Sequence, residues 1–322
     1  MNRVVVTGAA GFVGSHLVDR LLATGAAVTG IDNLNDYYDP ALKRVNLATA
    51  MDNERFRLVE GDLNELELAP LLDGAGVVYH LAGRPGVRSG FGREFESYVR
   101  DNVLATQAVL EATRGGSVKR VVFASSSSVY GDAERFPTPE DSPPAPLSPY
   151  GVTKAAAENL CHLYLRSFGV PVVVLRYFTV YGPRQRPDMA FARFIDAALE
   201  GRSLAVNGDG RQVRDFTFVH DAVAAAVAAG ERGVPGRTYN VAGGSRASVN
   251  QAIADIEGLL DRPLAVEHGA ADSSEPRATG ADTTAAARDL GFQPLTALRA
   301  GLAVQLDHQR AAHAAARREA LA

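Results

Sequence analysis

The stretch Gly8-Ala9-Ala10-Gly11-Phe12-Val13-Gly14 decides how this chain folds. It follows an apolar, β-branched run, Val4–Thr7, and opens a helical pattern over Phe12–Ala23. The first glycine permits a tight turn, the second lets the backbone approach a pyrophosphate, and the third lets helix and strand pack closely. Free N–H groups at the start of the helix would bind the phosphates. The stretch therefore predicts a dinucleotide site.

The alternation of strand and helix continues through the first half of the chain. Strands that are apolar on both faces and separated by helices indicate a buried parallel sheet covered on both sides, the doubly wound α/β arrangement of the Rossmann fold. The predicted strands are Val4–Thr7, Ala27–Ile31, Phe56–Val59, Val77–Leu81, Val121–Ala124 and Val172–Leu175. The predicted helices are Phe12–Ala23, Leu63–Leu72, Phe95–Thr113 and Tyr150–Ser167.

Glycine and proline turns become frequent after about residue 180, for example at Asn207-Gly208-Asp209-Gly210. Shorter strands and helices alternate there, including a predicted strand at Leu264–Val266. We predict a dinucleotide-binding domain over residues 1–180, to which about 213–245 returns, and a smaller α/β substrate lobe over 181–322.

Composition excludes several classes of protein. The 322 residues are 46% hydrophobic and 22% charged with a net charge of −4, which excludes a disordered chain and gives no basic surface for nucleic acid. The single cysteine, Cys161, excludes a disulfide framework and fits a reducing compartment. No apolar run is long enough for a membrane span, and no charged leader precedes the first strand. We expect a cytoplasmic protein without a metal site.

An acid stands at the end of the second predicted strand. Asp32 lies 18 residues after Gly14, where a carboxylate can accept hydrogen bonds from a ribose diol and repels a 2′-phosphate. It therefore predicts NAD rather than NADP. The nearby cations that could reverse this preference, Lys43 and Arg44, fit a solvated helix face.

Two other acids have structural alternatives to a binding role. Asp62 can accept a hydrogen bond from an adenine amino group, or it caps a helix that starts at Leu63. Asp221, next to His220, is interpreted as a helix N-cap rather than a catalytic residue.

Tyr150 and Lys154 stand four residues apart, which places them on one face of a helix. An ammonium close to a phenol favours the phenolate and lowers its pKa, so such a tyrosine can act as a general base near neutral pH. The serine-rich strand end Ser125–Ser128 precedes this pair, and hydroxyls at the carboxyl end of a parallel strand face the ligand crevice. The pattern predicts proton-transfer chemistry beside the dinucleotide.

These motifs together resemble the extended short-chain dehydrogenase/reductases, and within them the NAD-dependent nucleotide-sugar epimerase/dehydratase family. The motifs are the glycine stretch, Asp62-Leu63, His80-Leu81-Ala82-Gly83, Asp101-Asn102, Ser126 with Val129-Tyr130-Gly131, Tyr150 with Lys154, Arg176-Tyr177-Phe178-Thr179-Val180-Tyr181-Gly182-Pro183, Arg214-Asp215-Phe216 and Val219-His220-Asp221.

The resemblance implies an oxidation at C4 of a nucleotide sugar. Tyr150 would remove the proton of the 4-hydroxyl while hydride passes from C4 to NAD, and Ser126 would share that proton. Lys154 would tune Tyr150 and hold the nicotinamide ribose. By the same resemblance, the residues expected at the cofactor are Gly8, Gly11, Phe12, Val13, Gly14, Asp32, Asn33, Asp62, Leu63, Leu81, Ala82, Tyr150, Lys154 and Tyr177.

The residues before Val129 bear on the fate of the oxidised sugar. In this family a 4,6-dehydratase carries Asp-Glu there, and a decarboxylase carries Glu in the second position, whereas this chain has Ser127 and Ser128. Neither serine can act as acid or base for an elimination at neutral pH. The resemblance therefore implies that hydride returns to C4, with 4-epimerisation when the ketone has first swung over.

Two segments, 32–40 and 182–190, resemble the UDP-glucuronate 4-epimerase branch of the family. A cation and hydroxyls would bind the C6 carboxylate of UDP-glucuronate. The expected groups are Arg186, Ser127, Ser128 and Thr179. The alternatives for Arg186 are a phosphate contact or a surface charge, and Arg88 is a second candidate cation.

Two pairs, Arg84-Pro85 and Arg184-Gln185, depart from that branch and are expected near the sugar pocket. Family position suggests Arg214 and Arg277 for the diphosphate. Phe178 and Val206 are the residues expected to form walls for the uracil.

The leading prediction is UDP-glucuronate 4-epimerisation, and three alternatives stay open. They are a UDP-glucuronate decarboxylase, a 4-epimerase of neutral UDP-sugars such as UDP-glucose, and a non-catalytic NAD-binding regulator. By family analogy, helices 95–113 and 150–167 would form the face of a homodimer.

Overall fold

The computed structural model describes residues 3–271 and 276–319. Its strands are β1 (Arg3–Thr7), β2 (Ala27–Asp32), β3 (Phe56–Glu60), β4 (Val77–His80), β5 (Arg120–Ser126), β6 (Val172–Tyr177), β7 (Val180–Tyr181), β8 (Leu204–Asn207), β9 (Val213–Phe218), β10 (Thr238–Val241), β11 (Ser245–Ser248) and β12 (Val266–Gly269). Its α-helices are α1 (Phe12–Ala23), α2 (Pro40–Met51), α3 (Leu68–Leu72), α4 (Phe95–Tyr98), α5 (Ala105–Thr113), α6 (Pro149–Phe168), α7 (Ala190–Leu199), α8 (Val219–Arg232), α9 (Val249–Leu260), α10 (Thr284–Leu290) and α11 (Leu298–Glu319). A π-helical turn, Val99–Leu104, joins α4 to α5.

Seven parallel strands form the large sheet, in the order β10-β6-β5-β4-β1-β2-β3. The central strand β1 pairs in register with β2 and β4, and its residues Val4, Val5 and Val6 are fully buried. Apolar side chains of α1, α2 and α8 cover one face, and those of α3, α5 and α6 cover the other. Strands with two buried faces require this arrangement, and the doubly wound α/β prediction is confirmed.

Two helices near the start of the chain differ from the sequence prediction. The pattern missed α2 because its buried side includes the polar residues Lys43 and Asn46, whereas Val45 is exposed. The helix predicted from Leu63 starts instead at Leu68, because a turn comes first.

The second half of the chain builds a smaller unit around its own apolar cluster. β7, β9 and β11 form a three-stranded sheet, and β8 pairs with β12, which begins at Val266 rather than at Leu264. Of the segment 213–245 that we expected to return to the large sheet, α8 packs on that sheet and β10 pairs with β6, whereas β9 pairs with β7 and β11. The returning part is therefore shorter than predicted.

The helices of the described ranges 3–271 and 276–319 include none that is long and apolar enough to cross a membrane. Cys161, the single cysteine, is a free thiol buried in α6.

Candidate active site

A cleft of about 770 Å³ lies between the two units, at the carboxyl ends of the parallel strands. This is the position at which open α/β sheets bind their ligands. The loops after β1 to β6 form one wall, and the β7–α7 loop, α7 and β8 form the other. Every residue predicted for the cofactor lines this cleft: Gly8, Gly11, Phe12, Val13, Gly14, Asp32, Asn33, Asp62, Leu63, Leu81, Ala82, Tyr150, Lys154 and Tyr177.

The glycine stretch forms a close-packed turn between β1 and α1. Gly8 has φ 69°, and a Cβ there would lie 2.7 Å from the backbone nitrogen of Ala82. A Cβ at Gly14 would lie 2.0 Å from the carbonyl oxygen of Gly8. Gly11 precedes α1 without a side-chain cap, so the first N–H groups of the helix are left to the cleft. This cradle fits a pyrophosphate.

Asp32 closes the adjacent corner of the cleft. Its Oδ2 accepts the N–H of Ala10 at 3.0 Å, which ties the second strand to the glycine turn. Its Oδ1 accepts the N–H of Leu34 at 2.9 Å. Each carboxylate oxygen has a second lone pair, so the group can still accept from a ribose diol in the cleft.

The loop after Asp32 consists of short turns in which a side-chain oxygen accepts a hydrogen bond from the backbone N–H two residues later. The N–H of Asn35 donates to Oδ1 of Asn33 at 3.2 Å. The N–H of Tyr37 donates to Oδ1 of Asn35 at 3.3 Å. These Asx turns fix the path of the loop from Asp32 to Tyr37.

Lys43 does not lie on a solvated helix face, as the sequence suggested. Its ammonium donates to the carbonyl of Asn35 at 2.8 Å and to the Asn35 side-chain oxygen at 2.7 Å, and burial lowers the pKa of Lys43. Arg44 does point outward, with Glu60 at 3.4 Å. Lys43 therefore supports the loop after β2 from within the cleft wall.

Asp62 caps a turn rather than a helix. Its Oδ1 accepts the backbone N–H of Asn64 at 2.9 Å, and Arg100 lies 2.9 Å from its Oδ2. Burial alone would raise the pKa of Asp62, but the hydrogen bonds from Asn64 and the charge of Arg100 outweigh it and hold that pKa below its ordinary value. The carboxylate stays ionised on the cleft wall, as an acceptor for an amino group requires.

Tyr150 and Ser126, the residues predicted to move the substrate proton, both line the cleft. Tyr150 lies at the start of α6 and Ser126 at the end of β5, where the Ser126 hydroxyl donates to Ser128 Oγ at 3.1 Å. Burial raises the pKa of Tyr150 above its ordinary value, while the neighbouring Ser126 hydroxyl and the positive charge of Arg186 oppose that rise. We expected Lys154 to lower this pKa; in the structure burial outweighs the lowering contributions, and the opposing charge is that of Arg186.

Lys154 lies one turn after Tyr150, as predicted. Its Nζ donates to the Ala124 carbonyl at 2.8 Å and lies 6.0 Å from the centroid of the Tyr150 ring. Burial lowers the pKa of Lys154 from 10.5 to about 8. The backbone of β5 therefore anchors this ammonium at the floor of the cleft, close to the tyrosine.

A buried ion pair supports the end of β5 from below. Arg176 on β6 binds Glu158 of α6 in a bidentate manner, at 2.9 and 2.7 Å. Glu158 also accepts a hydrogen bond from the hydroxyl of Ser125, the residue before Ser126. Because both charged side chains are nearly inaccessible, this contact fixes β5, β6 and α6 relative to one another.

Most of the residues that the sequence predicted for the substrate line the cleft. Arg186 lines it, and a carboxylate of the same loop, Asp188, binds Nε and Nη2 of Arg186 at 2.9 Å each. The other predicted residues that line the cleft are Arg88, Ser126, Ser127, Ser128, Thr179, Val206 and Arg214.

Two predicted substrate residues do not reach the cleft. Phe178 is 1% exposed and packs in a cluster with Tyr130, so its ring cannot face a uracil. Arg277 points to solvent with its side chain 72% exposed, and its partner is Asp209 at 3.4 Å. The residues next to them in the chain, Tyr177, Thr179 and Pro276, do line the cleft.

The pair Arg184-Gln185 also lies away from the sugar pocket. Arg184 binds Asp19 of α1 at 2.7 Å, and Gln185 accepts from the N–H of Ala192 at 2.9 Å. Arg84, in contrast, lines the cleft as expected. The departure at 184–185 therefore concerns how the loop is held, not the sugar.

Asp221 is not an N-cap, because α8 already begins at Val219. Its carboxylate accepts the N–H groups of Leu295 and Thr296 at 3.2 and 3.1 Å, which secures the segment before α11. His220 is exposed and lies outside the cleft.

Sequence reasoning quoted three residues that shape the site within its motifs but assigned them no role. Tyr37 and Asp188 both line the cleft, and both stand inside the segments that resembled one branch of the family. Asn102, in the π-helical turn, accepts from the N–H of Arg84 at 2.7 Å and donates to the Thr153 hydroxyl at 3.0 Å. A π turn is itself a frequent mark of a functional site, but it has no signature in the sequence.

Among the described residues, no group of three or more histidine, cysteine or acidic side chains is placed to hold a metal ion.

Comparison with known proteins places this cleft in a family. A model of the NAD dependent epimerase/dehydratase family matches residues 4–242. A Bacillus subtilis protein named "Uncharacterized UDP-glucose epimerase YtcB" is 44% identical over 302 residues, which cover 93% of this chain and 95% of that protein.

Solved structures show the same relationship. The Bacillus cereus UDP-glucuronic acid 4-epimerase, in complex with UDP-glucuronic acid and NAD, superposes with a TM-score of 0.94 at 40% identity, over 96% of this chain and 99% of that one. MoeE5 with UDP-glucuronic acid and NAD gives 0.87 at 42% identity, over 97% and 100%. The chain belongs to the NAD-dependent epimerase/dehydratase family of the extended short-chain dehydrogenase/reductases.

Proposed function

We propose that the protein interconverts UDP-glucuronate and UDP-galacturonate by epimerisation at C4, using bound NAD. The observation that carries the proposal is that the glycine cradle, Tyr150 with Ser126, and Arg186 all line one cleft. Arg186 is close enough to Tyr150 for its positive charge to oppose the rise in the pKa of that tyrosine. The Bacillus cereus relative is named for this activity and binds both UDP-glucuronic acid and NAD in the same fold.

NAD, when bound, would accept hydride from C4 and return it, so no net oxidation occurs. Tyr150 receives the proton of the 4-hydroxyl and later gives it back. The Ser126 hydroxyl, which donates to Ser128 Oγ at 3.1 Å in the structure, would turn to donate to the tyrosine oxygen and stabilise its ionised form. The Lys154 ammonium, fixed by the Ala124 carbonyl, adds positive charge at the cleft floor.

The polar groups around Arg186 suit a carboxylate at C6. A uronate oxidised at C4 is a β-keto acid, which loses carbon dioxide when the C5–C6 bond aligns with the carbonyl π system. We propose that Arg186, Thr179 and the hydroxyls of Ser127 and Ser128 hold the carboxylate away from that alignment. A decarboxylase is disfavoured because Ser128 stands where that branch has Glu.

The second candidate function is 4-epimerisation of a neutral sugar. A relative of 44% identity is named a UDP-glucose epimerase, and structures of MoeE5 have been solved in complex with UDP-glucose as well as with UDP-glucuronic acid. Both reactions use the same Tyr150 chemistry, so the sugar is the point that separates them.

We assign the cofactor to a domain of residues 1–180 joined by α8 and β10, and the nucleotide sugar mainly to residues 181–322, with Val206 and Arg214 at the nucleotide end.

We also propose a homodimer that acts in the cytoplasm. Exposed apolar side chains at Leu104 and Leu163, on the helices expected at the dimer face, support the association. Light scattering at micromolar concentration would show a dimeric mass.

The test is to incubate the purified protein with UDP-glucuronate, without added NAD, and to follow the products by proton NMR with UDP-glucose in parallel. UDP-galacturonate alone is the expected product. A UDP-pentose would establish decarboxylation instead, and conversion of UDP-glucose alone would remove the assignment of Arg186 to a carboxylate.

A further inference from the structure

Arg186 is held along one edge by its own loop. Asp188 accepts from Nε and from Nη2 in a side-on, bidentate pair, and the Arg186 side chain is only 17% exposed. This pair uses two of the five guanidinium N–H groups and leaves the Nη1 side for another acceptor. A guanidinium fixed in this way cannot rotate its donors to follow a ligand.

A second support comes from the opposite wall of the cleft. The Tyr37 ring centroid lies 5.8 Å from the guanidinium carbon of Arg186 and 5.2 Å from that of Arg84. Tyr37 belongs to the loop that the side chains of Asp32, Asn33 and Asn35 hold in successive turns. The tyrosine is therefore fixed from the cofactor side, while Arg186 belongs to the substrate side.

The charges of this contact act in opposite directions on the tyrosines around it. Asp188 raises and Arg186 lowers the pKa values of Tyr37 and Tyr38. Arg186 also opposes the rise in the pKa of Tyr150, so its charge is felt at the tyrosine expected to act as the base.

We propose that Asp188 and Tyr37 are positioning residues that fix Arg186 and thereby make the site select a UDP-sugar with a carboxylate at C6 over a neutral UDP-sugar. This inference rests on the proposed function, because it requires Arg186 to meet that carboxylate. It goes further by assigning selectivity to the supports of Arg186 rather than to the arginine alone.

Two effects of Asp188 oppose each other. Its negative charge repels a substrate carboxylate, but the side chain is 42% exposed, so solvent screens that repulsion. Its bidentate contact orients the arginine at short range, where geometry decides whether a charge-assisted hydrogen bond forms. Orientation is the larger effect, and loss of Asp188 should weaken uronate recognition.

The experiment compares kcat/KM for UDP-glucuronate with that for UDP-glucose in the NAD-loaded protein. Where UDP-glucose turns over too slowly for kcat/KM to be measured, the KM for UDP-glucuronate is compared with the inhibition constant of UDP-glucose. Every variant then yields a ratio of the two sugars. Asp188→Ala and Tyr37→Leu should each lower the preference for the uronate about tenfold, the value of one charge-assisted hydrogen bond, through KM rather than kcat. UDP-glucose should change less than about twofold.

Conservative variants and a matched control sharpen the result. Tyr37→Phe keeps the ring and should keep the preference, and Asp188→Asn keeps one acceptor and should keep part of it. Glu200→Ala removes an acid that bonds an arginine two residues away, Arg202 Nε at 2.6 Å, but lies outside the cleft, and it should change nothing. In an Arg186→Ala background, the Asp188 and Tyr37 substitutions should have no further effect.

Each outcome separates the inference from the proposed function. If the native protein converts no UDP-glucuronate, the proposed function is wrong. If it does, but both variants keep the native ratio or lose both sugars equally, the positioning role is wrong. A rise in uronate preference in Asp188→Ala would also overturn it, because repulsion would then outweigh orientation.

Discussion

Lys154→Met replaces a buried ammonium with an apolar side chain of similar length, and we expect it to stabilise the fold while it abolishes activity. Lys154 is 4% exposed, and burial lowers its pKa from 10.5 to about 8. That difference corresponds to about 3 kcal/mol of penalty on the charged form in the folded protein. Leaving the Ala124 carbonyl without its donor costs about 1–3 kcal/mol. The net gain is about 0–2 kcal/mol, which is up to about 3 °C in Tm for a chain of 322 residues.

The gain in stability of Lys154→Met over the native protein should shrink as the pH rises above about 8. The folded pKa of about 8 lies below the unfolded value of 10.5, so the unfolded chain binds more protons between them. The native protein therefore carries the full penalty below about pH 8 and loses it as the pH rises towards 10.5. Other titratable groups are common to both proteins, so the difference in stability between variant and native protein isolates Lys154.

Urea unfolding at about pH 7 and about pH 9.5 would measure this difference. Nucleotide is first removed from both proteins, since bound NAD stabilises by mass action and Lys154 is expected to hold it. A variant less stable than the native protein at pH 7, or a difference that is the same at both pH values, would refute the reasoning.

Three further predictions concern Tyr150, the carboxylate and the buried ion pair. Tyr150→Phe should lower kcat by about 10³-fold while the protein retains its NAD, and NMR assays that found substantial residual activity would exclude this tyrosine as the base. Arg186→Ala and Ser127→Ala should release a UDP-pentose and weaken uronate binding, by about 1.5–3 kcal/mol for the charged group; chromatography that detects no pentose in either variant would contradict the restraint of the carboxylate. Glu158→Ala should cost about 3–5 kcal/mol in urea unfolding because it leaves the buried charge of Arg176 without its carboxylate, although Nη1 still donates to the Glu140 carbonyl at 3.0 Å, and joint replacement of both by apolar residues should recover most of that loss. If the single variant unfolds like the native protein, the buried pair does not stabilise the fold.

The sequence predicts those parts of the molecule that short-range rules determine. The Gly8–Gly14 stretch, the apolar β1 and the spacing of Tyr150 and Lys154 are local features, and the structure contains each of them. The helix α2 was not predicted from the sequence, because tertiary contacts rather than an amphipathic pattern bury Lys43 there. The Lys43 ammonium turns inward and donates to the loop after β2.

The direction in which a long side chain points is less accessible to sequence reasoning. Arg214 and Arg277 were equivalent as candidates, yet the first lines the cleft and the second faces solvent. The same limit explains Tyr37 and Arg186, which stand far apart in the chain and meet across the cleft. The balance of charge and burial around Tyr150 likewise depends on neighbours that no local pattern identifies.

The edge strand β10 pairs with β6 but follows it in the chain only after β7, β8, β9, α7 and α8, and this order has a consequence for biosynthesis. β6 is one of the most apolar strands of the sheet, and its outer neighbour is β10, which the ribosome makes only after the whole segment from β7 to α8. A nascent chain that has passed Tyr177 therefore presents an unpaired apolar edge, the feature that promotes intermolecular pairing. Translation that stops before Thr238 should release an aggregating fragment, even though such a fragment already contains the complete glycine turn.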